Sequence, residues 1–364
     1  MNAIVFYLCF NVTLLLHKVS YFFDVEILKS LPEKGGSVAT VVNNIRLAEM
    51  LPTRAILSLG QDVTNGLMRV PRSLPAKYFY DEKGSWLFDQ ICDSPEYYPT
   101  RAENALLAKV ANDIINEQQP RCIVELGSGT ARKTRHLFDA CSKAGFSPIY
   151  VPIDVCDEIL IASKNALEKE YEWLEVNPIV GDYTGGLGNL PRHSECNLVA
   201  FLGGTIGNFS EDEARNFLAD LRSTMTENDA LLIGADRIKP PEVLHAAYND
   251  DAGVTAAFNL NVLEVLNREL DATFDLDGFE HYAYFNPIQS RIEMHLVSTR
   301  NQSITLGSLQ KEIDFNEGDH ILTEISRKFT RIELENMLVD AGFEVVKHYE
   351  SDGHKFSLLL GRPV

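Results

Sequence analysis

Between residues 100 and 240 the chain alternates short, unbroken apolar runs with stretches where apolar residues return every three or four positions. The unbroken runs Cys122–Leu126, Ile149–Ile153, Pro178–Val180, Leu198–Leu202 and Ala230–Ala235 predict strands covered on both faces. Helical stripes lie around them: Leu106, Leu107, Val110 and Ile114; Leu137, Phe138 and Cys141; Ile159, Leu160, Ala166 and Leu167; Ala214, Phe217, Leu218, Leu221 and Met225. Capping boxes are expected at Thr100 with Glu103, Ser210 with Glu213, and Thr330 with Glu333. Such alternation implies a parallel sheet with helices on both sides.

The rhythm breaks at Pro240 and Pro241. Residues 241–325 hold one helical stretch, 256–270, and alternating strand-like runs such as Arg291–Ser298. The α/β rhythm resumes with the stripe Ile332, Leu334, Met337 and Leu338, closed by Gly342 at a helix end. Two last strands, Glu344–Tyr349 and Phe356–Leu360, are placed to form a hairpin. The expected division is an N-terminal extension over 1–53 and a helical part of a substrate domain over 54–118. An α/β core over 119–240 and 326–364 carries an inserted α+β substrate-binding region at 241–325. A cleft between two such bodies is the expected ligand site.

The first fifty residues speak less clearly. Ala3–Leu16 is mostly apolar, but no Lys or Arg precedes it, no small-residue cleavage site follows, and Asn11 and Thr13 interrupt it. It reads as an accessory extension or an upstream start rather than a targeting signal. Further on, the run at 32–36 is turn-like, and a cytoplasmic location is expected.

Charge narrows the choice of partner. With 33 Lys and Arg against 52 Asp and Glu, the net charge of −19 repels a phosphate backbone. That makes nucleic acid a poor partner and leaves a small zwitterion or cation compatible. No membrane partner is expected, and the chain is read as a monomer. The six cysteines form no C-x-x-C pair, and Cys122 and Cys156 lie in or beside apolar runs, which suits buried reduced thiols. The nine histidines show no H-x-x-x-H spacing, so no metal is expected.

Candidate chemistry gathers where the strands end. Glu125–Thr130 (ELGSGT) joins the first strand to its helix, and Gly127 and Gly129 permit a tight turn that a ligand can approach closely. Such a turn alone also fits an ordinary βα connection. Asp154 closes the second strand, where a carboxylate can accept both ribose hydroxyls; Asp182, with Tyr183 beside it, closes the third and suits an adenine amine. Together they favour an adenosine-containing cofactor. A dinucleotide would want a small residue at position 132, but Arg132 and Lys133 stand there. The terminal hairpin is also typical of class I methyltransferases, so S-adenosylmethionine is favoured over a nicotinamide cofactor.

Longer motifs carry a resemblance. They are Tyr80–Asp89 (YDEKGSWLFD), Pro95–Arg101 (PEYYPTR), Glu125–Thr130, Gly203–Asn208 (GGTIGN), Ala247–Thr255 (AYNDDAGVT) and Thr323–Ser326 (TEIS). From about residue 54 onward the chain resembles the histidine-specific methyltransferases of ergothioneine biosynthesis, which make Nα-trimethylhistidine (hercynine). The resemblance implies a class I methyltransferase Rossmann-like sheet of α/β class and a small-molecule substrate, L-histidine. It implies cofactor contacts at Tyr80, Gly127, Lys133, Asp154, Asp182 and Tyr183. Implied substrate contacts are Tyr97, Asn208, Tyr248, Met294, Glu324 and Ser326, with Phe88 lining the site.

The residue types suit those roles. Lys133 can pair with the cofactor's carboxylate, although a helix-surface lysine is ordinary. Asn208 and the hydroxyls of Tyr97 and Tyr248 can bind an amino acid's carboxylate. Glu324 and Ser326, two apart, share one face of a strand and could serve the two imidazole nitrogens. Taken alone they would equally pass for the polar face of a strand, and Met294 for core. A tyrosine–water route through Tyr80 or Tyr97 could deprotonate the substrate amine. The competing expectations are an N-methyltransferase for a tryptophan-type amino acid and a cofactor-binding scaffold without activity.

Overall fold

The unbroken apolar runs lie side by side. The computed structural model describes residues 39–42, 45–190 and 196–364. Among these, nine strands make one sheet, in spatial order β1 (Ala39–Val42), β2 (Ile45–Glu49), β6 (Ile179–Val180), β5 (Ile149–Asp154), β4 (Cys122–Leu126), β7 (Asn197–Phe201), β8 (Ala230–Asp236), β15 (Phe356–Pro363) and β14 (Phe343–Glu350). From β2 to β8 the neighbours run parallel, and the β14–β15 hairpin closes the far edge antiparallel. The strand–helix alternation predicts its parallel part, and the whole is the class I methyltransferase sheet that the resemblance implies. The apolar run Ala3–Leu16, Cys9 and the turn-like 32–36 lie outside the described residues.

Alternation along each strand feeds two cores. Ile123, Tyr150, Leu198 and Leu232 face α3 (Tyr98–Gln118) and α4 (Arg135–Ala144), while Val124, Val151, Val199 and Leu231 face α6 (Glu211–Thr224) and α9 (Arg331–Asp340). The helix α5 (Asp157–Glu170) adds Leu167 to the first of these. The capping boxes at Ser210 and Thr330 form as expected. The one expected at Thr100 does not. With Pro99 in its first turn, α3 begins at Tyr98. Glu103 is turned inward, accepting the Gly203 N–H at 2.8 Å and pairing with Lys133, while Thr100 donates to the Cys92 sulfur at 3.2 Å. A long-range ion pair has captured the carboxylate that the local motif required.

A third core belongs to a smaller sheet. Its order is β3 (Arg72–Ser73), β13 (His320–Arg327), β10 (Arg291–Ser298) and β9 (Phe279–Asn286). Phe258, Val262 and Leu266 of α8 (Val254–Leu270) pack on it with Ile292, Leu296 and Ile321. Around this core lie α1 (Leu59–Gly66), α2 (Glu82–Asp93) and α7 (Pro241–Tyr248), and a hairpin of β11 (Gln302–Leu306) and β12 (Lys311–Phe315) that no sequence signal had marked. The sequence-based boundaries shift in three places. Residues 39–42 and 45–49 edge the large sheet, α3 packs on that sheet rather than with the substrate part, and β13 runs across the 325/326 division. No helix of the described residues is long and apolar enough to cross a membrane.

The two sheets meet at Gly207. A Cβ there would lie 2.9 Å from the Arg327 carbonyl oxygen and 3.2 Å from its nitrogen, so the turn ending at Asn208 sits directly on β13. Gly207→Ala should therefore destabilise the protein by about 1–3 kcal/mol through overpacking, read as a lower denaturation midpoint. Unchanged stability would mean that this contact is loose.

Candidate active site

The glycine turn after β4 runs through left-handed backbone at Gly127 (φ +69°) and Gly129 (φ +48°). The N–H groups of Gly127 and Ser128 donate to the Ile153 carbonyl at 2.8 and 3.2 Å, which ties the turn to β5. A Cβ on Gly129 would meet nothing within 4 Å, and one on Gly127 would approach the Tyr183 ring at 3.7 Å. Beside this open cradle the Ser128 hydroxyl is buried without a hydrogen-bond partner. Beneath it Glu125, accepting from the Thr134 and Tyr150 hydroxyls, is pushed up to about 7 by burial.

The two strand-end carboxylates flank the cradle. Asp154 accepts from the Gly129 N–H at 2.9 Å, and burial raises its carboxyl above the ordinary range against the pull of its backbone donors. Asp182 accepts from the Thr184 N–H at 2.8 Å, with the Lys77 ammonium 3.7 Å away. Tyr183 stands edge-on to Phe201 and Phe217, at centroid distances of 5.7 and 5.9 Å. Lys133 pairs with Glu103, so the ammonium is held beside Gly203. An open glycine turn, an unsatisfied hydroxyl, two carboxylates and a held ammonium suit the acceptors and donors of S-adenosylmethionine.

A second hollow opens where the sheets meet. Tyr80, Phe88, Tyr97, Asn208, Tyr248, Glu324 and Ser326 line it, with the 203–205 turn. Seven of the expected residues thus converge from six elements. Tyr80 follows a 3₁₀ turn (Ala76–Phe79), Phe88 rides on α2, Tyr97 precedes α3 and Tyr248 ends α7. Rings meet edge to face: Tyr80 with Phe88 at 5.7 Å, Phe88 with Tyr97 at 6.3 Å, Tyr97 with Tyr248 at 5.9 Å.

Both polar strand residues reach the hollow. The β10–β13 register slips between Met294 and His295, leaving an extra residue in β13 beside Glu324. Bulges of this kind re-aim side chains. This one is pinned by Thr323, whose hydroxyl bonds buried Asn259 at 2.7 Å and the Met294 carbonyl at 3.1 Å. Met294 stands opposite Glu324, buried in the smaller core, and does not line the hollow. Glu324 keeps some accessible edge by facing the hollow, yet the protein encloses it deeply enough to push its carboxyl up to about 7, with Lys328 pulling the other way. Burial foremost raises the Tyr80 phenol, and the charges of Glu324, Tyr183 and Asp154 add to it. Tyr97 is raised likewise, with Tyr248 next among the causes.

Asp236 and Lys328 also line the hollow, and sequence reasoning passed over them. The Lys328 ammonium lies 2.9 Å from Asp236 Oδ2, 3.0 Å from Tyr248 Oη and 2.8 Å from Ser326 Oγ. Lys239 takes the other Asp236 oxygen at 2.6 Å, and burial lowers that lysine to about 8. Signals for both existed. Asp236 ends a strand as Asp154 does, and Lys328 follows Ser326 by the two-residue step that joined Ser326 to Glu324.

Fold and site together define a small-molecule methyltransferase using an adenosine-bearing methyl donor. The model of the histidine-specific, S-adenosylmethionine-dependent methyltransferase family matches residues 59–363, and the chain belongs to that family. A histidine N-alpha-methyltransferase of Mycobacterium tuberculosis is 42% identical over 304 residues, covering 84% of this chain and 94% of that one. Ergothioneine biosynthesis protein 1 of Neurospora crassa is 30% identical over 80% of this chain, which spans 33% of that longer protein. A 4-dimethylallyltryptophan N-methyltransferase of Claviceps fusiformis is 26% identical, with 81% of this chain and 89% of that one covered.

A carboxyl raised to about 7 favours the protonated folded state, so its support is complete below the ordinary glutamate range and is lost as pH climbs through 7. Glu324→Gln should then stabilise the ligand-free protein at pH 8 by about 1–3 kcal/mol, with the gain vanishing near pH 4. Thermal denaturation at both pH values checks this; an equal gain at each would separate the effect from ionisation.

Proposed function

We propose that this chain transfers methyl groups from S-adenosylmethionine to the α-amine of free L-histidine, in three rounds, giving Nα-trimethylhistidine on the way to ergothioneine. The observation that carries the substrate is the pair Glu324 and Ser326, facing one hollow from one strand beside the donor cradle. The working form is read as a cytoplasmic monomer acting on a small molecule, with neither nucleic acid nor membrane as partner; the net charge of −19 supports the exclusion of nucleic acid.

When bound, S-adenosylmethionine supplies a methyl group already activated on its sulfonium. The chain's own contribution is position and orientation. Gly127 admits the donor closely, Asp154 and Asp182 accept from its nucleoside beside the Tyr183 ring, and Lys133 faces its carboxylate. Asn208 and the Tyr97 hydroxyl donate to the carboxylate of histidine. The Tyr248 hydroxyl donates its one proton to Ser326 at 2.8 Å, so it has none for the carboxylate and serves the site through Ser326.

Burial keeps the Tyr80 and Tyr97 phenols protonated at neutral pH, so they orient the amine or a water as neutral partners rather than act as tyrosinate bases. An α-amine of pKa about 8 loses its proton partly unaided. The ring faces of Tyr80, Phe88 and Tyr97 suit the growing ammonium. Glu324 accepts the imidazole N–H and Ser326 serves the second nitrogen. Indole has an N–H but no acceptor, so a tryptophan-type substrate leaves that half unpaired, an effective ground for rejection.

Labelled S-adenosylmethionine and a panel of amino acids, with products resolved by mass, test the proposal. Trimethylated histidine is expected, and equal or faster turnover of tryptophan derivatives would overturn it. Glu324→Ala should lower kcat/KM for histidine roughly 10- to 100-fold, the range of a buried hydrogen bond to a charged group, while leaving donor affinity within about twofold.

A further inference from the structure

We propose that Lys328, clamped by Asp236, is a positioning residue that makes Ser326 a donor to the substrate ring, so that the site demands a ring atom bearing a lone pair. This deepens the reading of histidine as substrate and rests on it.

The proton inventory carries the argument. An ammonium has three protons, and Lys328 commits them to Asp236 Oδ2, Tyr248 Oη and Ser326 Oγ at 2.9, 3.0 and 2.8 Å. Burial alone would drive Lys328 toward neutrality, but the adjacent Asp236 carboxylate more than offsets it and keeps the lysine charged. Tyr248 gives its single hydroxyl proton to Ser326 Oγ at 2.8 Å. The serine oxygen therefore receives two hydrogen bonds, which occupy both lone pairs. Its own hydrogen is what remains for a ligand.

Glu324, a neighbour in the same wall, offers only acceptors in the ionised form that pH above 7 favours. The wall thus presents one acceptor and one donor to whatever ring enters. Neutral imidazole matches it with one N–H and one lone-pair nitrogen. Indole fills only the acceptor, and a ring without nitrogen fills neither. Lys328 touches the ring only through Ser326, since none of its protons is spare.

Asp236 makes the device separable from the fold. Its second oxygen holds Lys239 at 2.6 Å, and it also accepts from the Tyr98 hydroxyl at 2.5 Å. Removing the Lys328 charge leaves this carboxylate paired.

Calorimetry on the full chain loaded with S-adenosylhomocysteine tests the inference, with L-histidine and β-(2-thienyl)-L-alanine, a ring lacking both nitrogens, as ligands. The unaltered protein should prefer histidine; no preference would sink the histidine reading itself, whatever Lys328 does. Lys328→Met should weaken histidine about tenfold and thienylalanine by less than about twofold, as loss of one oriented hydrogen bond requires. In a Ser326→Ala background the same change should cost less than about twofold, because the two residues act as one unit. Lys328→Gln, which keeps an N–H donor, should recover part of the loss. Equal weakening of both ligands, or full multiplication of the Lys328 and Ser326 effects, would overturn the inference. If Lys328→Met no longer binds S-adenosylhomocysteine, Lys328→Gln decides in the same cycle: its loss must disappear once Ser326 is alanine.

Discussion

A lysine can be carried charged into a dry interior only when each of its protons meets an acceptor and a carboxylate lies beside it. Lys328 meets both conditions at the seam between the two sheets. Asp236 closes β8 of the large sheet and Lys328 leaves β13 of the smaller one, so their attraction spans two otherwise separate cores. Burying such a pair is a poor route to net stability, because desolvation consumes most of the attraction. What it supplies is geometry. Together with the Gly207 turn against Arg327 and the Phe329 N–H bond to the Asp236 carbonyl, it sets the position of β13, and with it Glu324 and Ser326.

A second buried pair does comparable service at the opposite end. Glu103 reaches from α3 to the Gly203 N–H and to Lys133, so a helix, the β7 turn and the Lys133 ammonium are held together. Tyr80 lines the hollow, and its phenol feels Glu324 as well as Tyr183 and Asp154. The glycine turn and the strand that carries Glu324 belong to different sheets. That arrangement suits in-line transfer, where two molecules must be aligned and little else need be done by the protein.

How far the chain could be read in advance followed the range of the interactions involved. Strands of the large sheet were legible because a strand buried on both faces has no polar residues to spare, and Val124 and Ile123 feed different cores from adjacent positions. The boxes at Ser210 and Thr330 were legible because capping is settled within one turn. Thr100 and Glu103 carried the same letters, yet Gly203 and Lys133, far along the chain, took the carboxylate. Glu324 and Ser326 were nameable from their motif, but no spacing indicates that Asp236 lies against Lys328. Met294 shows the converse: its place on an apolar face was evident, while its exclusion from the hollow depends on how β10 sits behind β13.

The enclosed Glu324 carboxylate has a consequence beyond recognition. With nothing in the hollow, the folded chain at neutral pH carries an ionisable group held near its midpoint, a burden that unfolding relieves. A ligand that hydrogen-bonds the ionised form lifts the burden, and binding to the native state alone always shifts the folding equilibrium toward it. The folded fraction of the protein then rises with the concentration of any ligand that meets Glu324 in its ionised form.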